Sequence, residues 1–133
     1  MKIILVDDDP IVILLQKKLM EKVGMIDEVD SYNSGEEALA FLINNSNANA
    51  DYLIFLDINM PGLSGWQVLD KLTELKLNGN ISVIIITSSI EHAEKEKSKQ
   101  YGQIMDFWIK PFNIQSFTRL KEHKVNQKFF KEA

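Results

Sequence analysis

The chain has 133 residues, of which 45% are hydrophobic and 26% are charged, and its formal net charge is −4. These values are typical of one globular domain of ordinary size. The absence of cysteine excludes a disulfide framework and a cysteine-ligated zinc site. No unbroken apolar run approaches the roughly 20 residues of a membrane-spanning helix. A strand is predicted almost from Met1, so we expect no signal peptide and a cytoplasmic protein.

The first predicted unit is a strand followed by a helix. Residues 3–6 are apolar, which predicts a buried strand, and the strand ends at Asp7, Asp8 and Asp9. Asp9 is predicted to be the N-cap of the helix, because Pro10 follows it at the first helical position. The inward face and the end of this helix are predicted at four residues: Leu15, Leu19, Val23 and Gly24.

The second unit begins with a strand over residues 26–32. The sequence Ser34-Gly35-Glu36-Glu37 predicts a capping box that opens a helix through Asn44. Its predicted inward residues are Ala38, Leu39 and Leu42. A polar loop over residues 45–51 then leads to a third strand, residues 52–56, which ends at Asp57.

Three further units follow the same alternation. Pro61-Gly62 predicts a turn, and residues 82–86 predict a fourth strand that ends at Thr87 and Ser88. Residues 106–109 predict a fifth strand that ends at Lys110 and Pro111. The third helix is marked by Val68, Leu72 and Leu75 and closed by residues 78–80; the fourth runs from Ser89 or Glu91 to Tyr101; the fifth begins at Asn113, with Ile114, Phe117 and Leu120 inward.

Alternating strands and helices predict an α/β fold, a flavodoxin-like (βα)5 three-layer sandwich with a five-stranded parallel sheet. The carboxyl ends of parallel strands share one edge, where open α/β sheets bind ligands. Carboxylates about 4 Å apart repel by roughly 4 kcal/mol at an effective dielectric of about 20, so a cation is expected among Asp7, Asp8 and Asp57. With Thr87 and Lys110 at neighbouring strand ends, this edge has the groups of a phosphoryl-handling pocket.

Each of these residues also has a purely structural interpretation. Asp9 and Thr87 can serve as helix N-caps, and Lys110 can be a surface lysine before a rigid proline. Asp57 is followed by no predicted helix, so capping does not explain it. Four further residues are interpreted as structural, the first two as surface side chains and the last two as packing residues: His92, His123, Trp66 and Trp108.

The order of these motifs resembles the receiver domain of two-component response regulators, over about Met1 to Lys121. The matching segments are Val6-Asp7-Asp8, Leu56-Asp57-Ile58-Asn59-Met60-Pro61-Gly62 with Ser64-Gly65, Ile86-Thr87-Ser88, and Phe107-Trp108-Ile109-Lys110-Pro111-Phe112. Each motif alone is weak. Four in the family's order and spacing make chance agreement very improbable.

The resemblance implies a role for each site residue. Asp57 would accept a phosphoryl group from a sensor histidine kinase or a histidine phosphotransfer protein. Mg²⁺ would be held by Asp7, Asp8, Asp57 and the Asn59 main-chain carbonyl, since it prefers oxygen ligands. Lys110 and Thr87 would bind phosphoryl oxygens. The chain would thus be a signalling phosphoacceptor that catalyses only its own phosphorylation and dephosphorylation.

The resemblance also implies a conformational switch. Movement of Thr87 would admit Phe107, which stands where the family more often has tyrosine and therefore lacks a hydroxyl. The output face would be formed by the fourth helix, fifth strand and fifth helix, and a homodimer could form through it. The family tunes phosphoryl lifetime partly at the positions of Asn59 and Ser89.

Three alternatives stay open at this point. A pseudo-receiver would share the fold without phosphorylation. A haloacid-dehalogenase-like phosphatase would need a second Asp where this chain has Asn59. A flavin carrier would need a phosphate-binding Ser/Thr/Gly loop after the first strand.

Charge is distributed unevenly along the chain. Residues 1–93 carry a net charge of −8 and residues 94–133 a net charge of +4. Overall acidity argues against nucleic-acid binding. We predict a receiver over residues 1–122 and a helical extension over residues 123–133, where Val125, Phe129 and Phe130 continue an apolar strip among lysines. This tail is either a docking surface or a frayed end. With no effector domain predicted, output would depend on protein contacts, or the protein would be a relay intermediate or a phosphate sink.

Overall fold

The computed structural model describes residues 2–25, 29–45, 50–77, 80–88, 96–110 and 113–122. The elements in these ranges are β1 (Lys2–Val6), α1 (Pro10–Val23), β2 (Val29–Tyr32), α2 (Gly35–Asn45), β3 (Asp51–Asp57), α3 (Gly65–Leu75), β4 (Asn80–Thr87), β5 (Ile104–Ile109) and the C-terminal helix (Ile114–Glu122). Residues 96–98 are helical. The rest of the predicted fourth helix, with His92 and Ser89, and the predicted tail from His123 lie outside the described residues.

The strands form a parallel sheet in the order β2-β1-β3-β4-β5. This confirms the predicted flavodoxin-like (βα)5 fold. In the register of β1 with β3, Val6 pairs with Leu56, so that Asp7 and Asp57 follow paired residues. Central strands are covered on both faces, which explains why their sequences are almost continuously apolar.

Two hydrophobic cores lie on opposite faces of the sheet. One contains residues of α2 and α3, such as Leu42 and Leu69, packed on alternate strand residues. The other lies under α1 and the C-terminal helix. There Phe55, Trp108 and Phe117 form an aromatic cluster with ring centroids 5.0 to 5.9 Å apart. Trp108 is therefore a packing residue, as predicted.

Several helix ends follow the predicted signals. Asp9 Oδ1 accepts a hydrogen bond from Ile11 N–H at 2.9 Å, and Pro10 begins α1. Gly24 ends α1 with φ of 86°, in the left-handed region that favours glycine. The box predicted at Ser34 forms in part. Ser34 Oγ accepts from Glu37 N–H at 3.2 Å, but the Glu37 carboxylate accepts from Asn33 N–H, one residue earlier than predicted.

The predicted inward stripe of α1 is wrong at Leu15, which is 52% exposed. The residues of α1 buried against the sheet are Ile13, Gln16 and Met20. Because residues 11–15 are all apolar, the pattern allows more than one helical phase, and packing against the sheet selects the phase that buries Ile13. Leu19 and Val23 are only partly buried.

Two other details of the prediction are wrong. Ile114 is 40% exposed at the start of the C-terminal helix, although Phe117 and Leu120 are buried as predicted. Asn80 begins β4 instead of closing α3, whose C-cap is Lys76 with φ of 46°. Leu75, predicted to mark the third helix, is the last residue of α3. Residues 78–79 lie outside the described residues.

None of the helices within the described ranges is long and apolar enough to cross a membrane.

Candidate phosphoacceptor site

Three carboxylates converge at the carboxyl edge of the sheet. Asp7 and Asp8 follow β1, and Asp57 is the last residue of β3. One carboxylate oxygen of each lies within 4.8 Å of the others. Asp7 and Asp57 are buried, whereas Asp8 is exposed. The predicted convergence of the three acids is therefore present.

Lys110 reaches this cluster from β5. Its Nζ lies 3.0 Å from Asp7 Oδ2 and 3.5 Å from Asp57 Oδ2. The main chain places it there, because Lys110 N–H donates to the Thr87 carbonyl at 2.7 Å. Lys110 therefore contacts two of the three acids, which a surface lysine would not do.

The Asp57 carboxyl is held by the chain that follows it. Asn59 N–H donates to Asp57 Oδ1 at 3.2 Å. The pKa of Asp57 is raised to about 6, first by burial and then by the charge of Asp7, while Lys110 and the Asn59 N–H partly offset both effects. A raised pKa means that ionised Asp57 is held at a cost in free energy.

Lys110 responds to the same charges in the opposite sense. Desolvation lowers the pKa of Lys110, but its close contact with Asp7 and the charges of Asp57 and Asp7 outweigh it, so the pKa lies above its ordinary value. Lys110 is therefore protonated near neutral pH. It supplies one positive charge against three carboxylates.

The donor set fits Mg²⁺. Asp7 Oδ1 accepts a hydrogen bond from Asp9 N–H at 2.9 Å. Asp7 Oδ2 accepts no well-oriented hydrogen bond from the described residues, although Lys110 Nζ is close enough for an ion pair. A buried oxygen with spare acceptor capacity, beside two more carboxylates, suits a hard cation with oxygen ligands.

The other predicted site residues lie around this cluster. Thr87 is fully buried at the end of β4, and Ser88 after it is exposed. The Asn59 side chain is exposed, which fits a role through its main chain. Phe107 is partly buried and packs on the core beneath α2 and α3.

Two residues near the site were given no role from the sequence. A Cβ on Gly65 would lie 2.6 Å from the Asp57 carbonyl oxygen, so only glycine allows α3 to start this close to Asp57. Glu36 accepts a hydrogen bond from Leu63 N–H at 2.8 Å, between β3 and α3. The Ser64-Gly65 pair was a usable signal for the first. Glu36 carried no signal, because it resembles any acidic residue in a first helical turn.

Comparison with known proteins decides the family. The sequence model described as the response regulator receiver domain matches residues 3–121. The chain belongs to this family. It is 34% identical over 130 residues to the transcriptional regulatory protein MalR of Bacillus subtilis (strain 168), covering 96% of this chain and 52% of MalR. It is 38% identical over 109 residues to the hybrid signal transduction histidine kinase L of Dictyostelium discoideum, covering 81% of this chain and 6% of the kinase. The chain thus spans about half of MalR and a small part of the kinase.

Solved structures have the same fold. The bacteriophytochrome response regulator RtBRR aligns with a TM-score of 0.77 at 25% identity, covering 99% of this chain and 80% of that one. A receiver protein from Burkholderia phymatum aligns with a TM-score of 0.70 at 31% identity, covering 89% of each chain. Receiver domains are phosphoacceptors of two-component signalling, and are not enzymes in the usual sense. Family membership therefore favours a receiver over the dehalogenase-like phosphatase and the flavin carrier.

Proposed function

We propose that the chain accepts a phosphoryl group on Asp57 from a phosphohistidine of a sensor histidine kinase or a histidine phosphotransfer protein. The observation that carries this proposal is the burial of Asp57 beside both Asp7 and Lys110. A carboxylate with a raised pKa, next to an ammonium and two further acids, has the environment of a reactive group.

The transfer balances without any further reactant. An oxygen of the Asp57 carboxylate attacks phosphorus, the P–N bond of the phosphohistidine breaks, and its electron pair stays on the imidazole nitrogen. Lys110 offsets negative charge on the phosphoryl oxygens, and the Thr87 hydroxyl donates a hydrogen bond to one of them. Positioning and charge neutralisation provide most of the catalysis in such transfers. Attack by water on the acyl phosphate later releases inorganic phosphate and restores Asp57.

Asp7, Asp8, Asp57 and the Asn59 main-chain carbonyl would hold Mg²⁺. When bound, the ion supplies positive charge next to the transferring phosphoryl group. The three acids together carry −3, which Lys110 and one Mg²⁺ balance. This charge balance supports a requirement for a divalent cation.

Phosphorylation would disturb that balance and so operate a switch. The acyl phosphate replaces one negative charge with about two. The added charge attracts the Lys110 ammonium and the Thr87 hydroxyl, and a shift of Thr87 makes room for Phe107. Phe107 lies on the edge strand β5 and is only partly buried, so an inward movement would bury more of its ring. The output face remains the one predicted, formed by the fourth helix, β5 and the C-terminal helix, and dimerisation through it stays a prediction.

The outer face of α1 adjoins the site and suits a protein phosphodonor. Ile11, Leu14 and Leu15 are 52 to 67% exposed there. α1 begins directly after the acidic residues, so a partner seated on these apolar side chains would have its phosphohistidine near Asp57. The predicted cytoplasmic location stays a prediction.

Labelling with a small phosphodonor tests the proposal without a cognate kinase. The wild type incubated with acetyl phosphate and Mg²⁺ should gain one phosphoryl group by intact mass, and Asp57→Asn should gain none. The matched control is Asp106→Asn, because Asp106 bonds Trp108 on β5, outside the carboxylate cluster. EDTA should abolish labelling of the wild type. If the wild type gains no phosphoryl group under any of these conditions, the protein is a pseudo-receiver. If folded Asp57→Asn still gains one, the phosphoacceptor is a residue other than Asp57.

A further inference from the structure

The loop between β3 and α3, residues 58–64, lies against the proposed cation site. It contains Asn59, whose carbonyl is one of the proposed ligands. The start of this loop is fixed to the sheet, since Ile58 N–H donates to the Ile86 carbonyl at 3.0 Å. Its end is fixed as well, because Gly65 N–H donates to the Ile58 carbonyl at 2.9 Å. The residues between these anchors need a support of their own.

Glu36, on the first turn of α2, supports the middle of this loop. Its Oε1 accepts a hydrogen bond from Leu63 N–H at 2.8 Å, although 27 residues separate the two in sequence. A Cβ on Gly62 would lie 2.9 Å from Glu36 Oε2, so the main chain at Gly62 runs against the carboxylate. Gly62 has φ of 77°, in the region open to glycine.

The base of Glu36 is itself fixed. A Cβ on Gly35 would lie 2.5 Å from Val68 Cγ2, so the start of α2 packs directly on α3. Val68 is buried in the core beneath these helices. The main chain next to Glu36 is therefore fixed by packing, and the Glu36 carboxylate is held against the loop by its hydrogen bond from Leu63 N–H.

The loop in turn contacts the phosphoacceptor. Asn59 N–H donates to Asp57 Oδ1 at 3.2 Å. A displacement of the loop at Asn59 would therefore change the position of the Asp57 carboxylate or break this hydrogen bond. We propose that Glu36 is a positioning residue, which holds the loop so that Asn59 and Asp57 keep the arrangement that binds the divalent cation. This inference rests on the proposed function of the site.

The effect of the hydrogen bond must be separated from the effect of charge. Glu36 is exposed, and removing any nearby negative charge weakens a cation site by electrostatics alone. Glu36→Gln removes the charge and keeps an oxygen acceptor for Leu63. Glu37 is the matched control, because it carries the same charge one residue later and accepts from Asn33 N–H at 3.4 Å, outside the loop.

Two measurements on the purified protein test the proposal. In EDTA, amide exchange at Leu63 should be faster in Glu36→Ala than in the wild type, and close to wild type in Glu36→Gln and Glu37→Ala. By calorimetric titration, Glu36→Ala should weaken Mg²⁺ binding by roughly fivefold, the size expected for loss of one hydrogen bond. Glu36→Gln and Glu37→Ala should both stay within about twofold of the wild type.

Labelling by acetyl phosphate adds a third readout. Glu36→Ala should need more Mg²⁺ for half-maximal labelling, while its rate at saturating Mg²⁺ stays within about twofold of the wild type, because the lost interaction acts on cation binding. Equal Mg²⁺ affinity in Glu36→Ala and the wild type, or equal weakening in Glu36→Ala and Glu36→Gln, would overturn the role of the hydrogen bond. In either case a wild type labelled on Asp57 leaves the proposed function standing, whereas an unlabelled wild type refutes that function itself.

Discussion

Burial of the Asp57 carboxyl beside Asp7 creates a pH-dependent cost in the metal-free protein. The pKa of Asp57 is raised from 3.8 to about 6 in the folded state, first by desolvation and then by Asp7. The folded state therefore binds more protons than the unfolded state between these values. The stability that protonated Asp57 provides is complete below pH 3.8 and is lost as the pH rises through about 6.

The substitution Asp57→Asn removes this cost, so we expect it to stabilise the metal-free protein at neutral pH. In EDTA, urea denaturation at pH 7.5 should give Asp57→Asn an unfolding free energy about 1 to 3 kcal/mol above that of the wild type, the upper value being the full pKa shift. At pH 4.5 the difference should be much smaller. Other carboxylates titrate in both proteins and largely cancel in the comparison.

Glu74→Gln is the control for this experiment. Glu74 lies on α3, where its exposed carboxylate pairs with the exposed Lys71 ammonium at 3.5 Å. Its substitution should change stability little and equally at both pH values. A difference between Asp57→Asn and the wild type that is the same at pH 4.5 and 7.5 would contradict a raised pKa at Asp57.

The acids and Lys110 could be predicted because each follows an apolar strand, and parallel strands place such residues at one edge. The contact of Lys110 with Asp7 as well as Asp57 could not, since it depends on how far the lysine side chain crosses β4. The contact of Glu36 with the loop after β3 could not be predicted for another reason. Its partner is a main-chain N–H 27 residues away, and no residue type marks such an acceptor.

Among the helices, α1 has a polar residue on its packing face. Gln16 is 1% exposed, between the apolar Ile13 and Met20. Its Nε2 donates to no hydrogen-bond acceptor within the described parts of the chain. A buried amide donor without a partner costs about 1 to 3 kcal/mol.

We therefore expect Gln16→Met to stabilise the protein by about 1 kcal/mol, because methionine has a similar volume and helix propensity and no donor to satisfy.

Gln67→Met is the matched control, and it should lower the unfolding free energy instead of raising it. The Gln67 side chain accepts from Ser64 N–H at 2.9 Å in the capping box of α3. Its loss should cost roughly 0.5 to 1 kcal/mol. Urea denaturation of both variants provides the measurement, and a Gln16→Met variant less stable than the wild type would indicate a partner for this amide.

Element boundaries were less predictable than element order. In β5 the predicted start at Asp106 missed Ile104, because a register shift against Val83 and Ile84 leaves Met105 without a pairing residue. The contact between α3 and the segment after residue 98 was also missed. Trp66 stacks on Tyr101 with ring centroids 5.7 Å apart, and the Tyr101 hydroxyl donates to Asp70 at 2.7 Å. These are pairs between distant segments, which periodicity within one helix does not encode.

For the molecule as a whole, the alternation of strands and helices was enough to predict the fold. Parallel strands need crossover helices, and the right-handedness of those crossovers leaves few arrangements. The strand order with β1 and β3 at the centre explains why their two carboxyl ends carry the site. Asp7, Asp8 and Asp57 contribute three of the negative charges behind the net charge of −8 over residues 1–93.

A cation that binds the folded site should therefore stabilise the whole molecule. Binding to the folded state alone adds about 2.7 kcal/mol to the unfolding free energy at a concentration about 100 times the Kd. We expect the urea midpoint of the wild type at pH 7.5 to rise with MgCl2 and to saturate. KCl at matched ionic strength should give a smaller rise without saturation, since it only screens the repulsion among the carboxylates.

The same titration distinguishes the ligands from the rest of the acidic surface. Asp8→Asn and Asp57→Asn should begin from higher midpoints in EDTA and gain less from MgCl2, because each removes both a repulsive charge and a ligand. Glu74→Gln should follow the wild type at every concentration. Identical curves for MgCl2 and KCl in the wild type would show that these three carboxylates form no specific cation site, and the stabilisation would then be a property of the acidic surface as a whole.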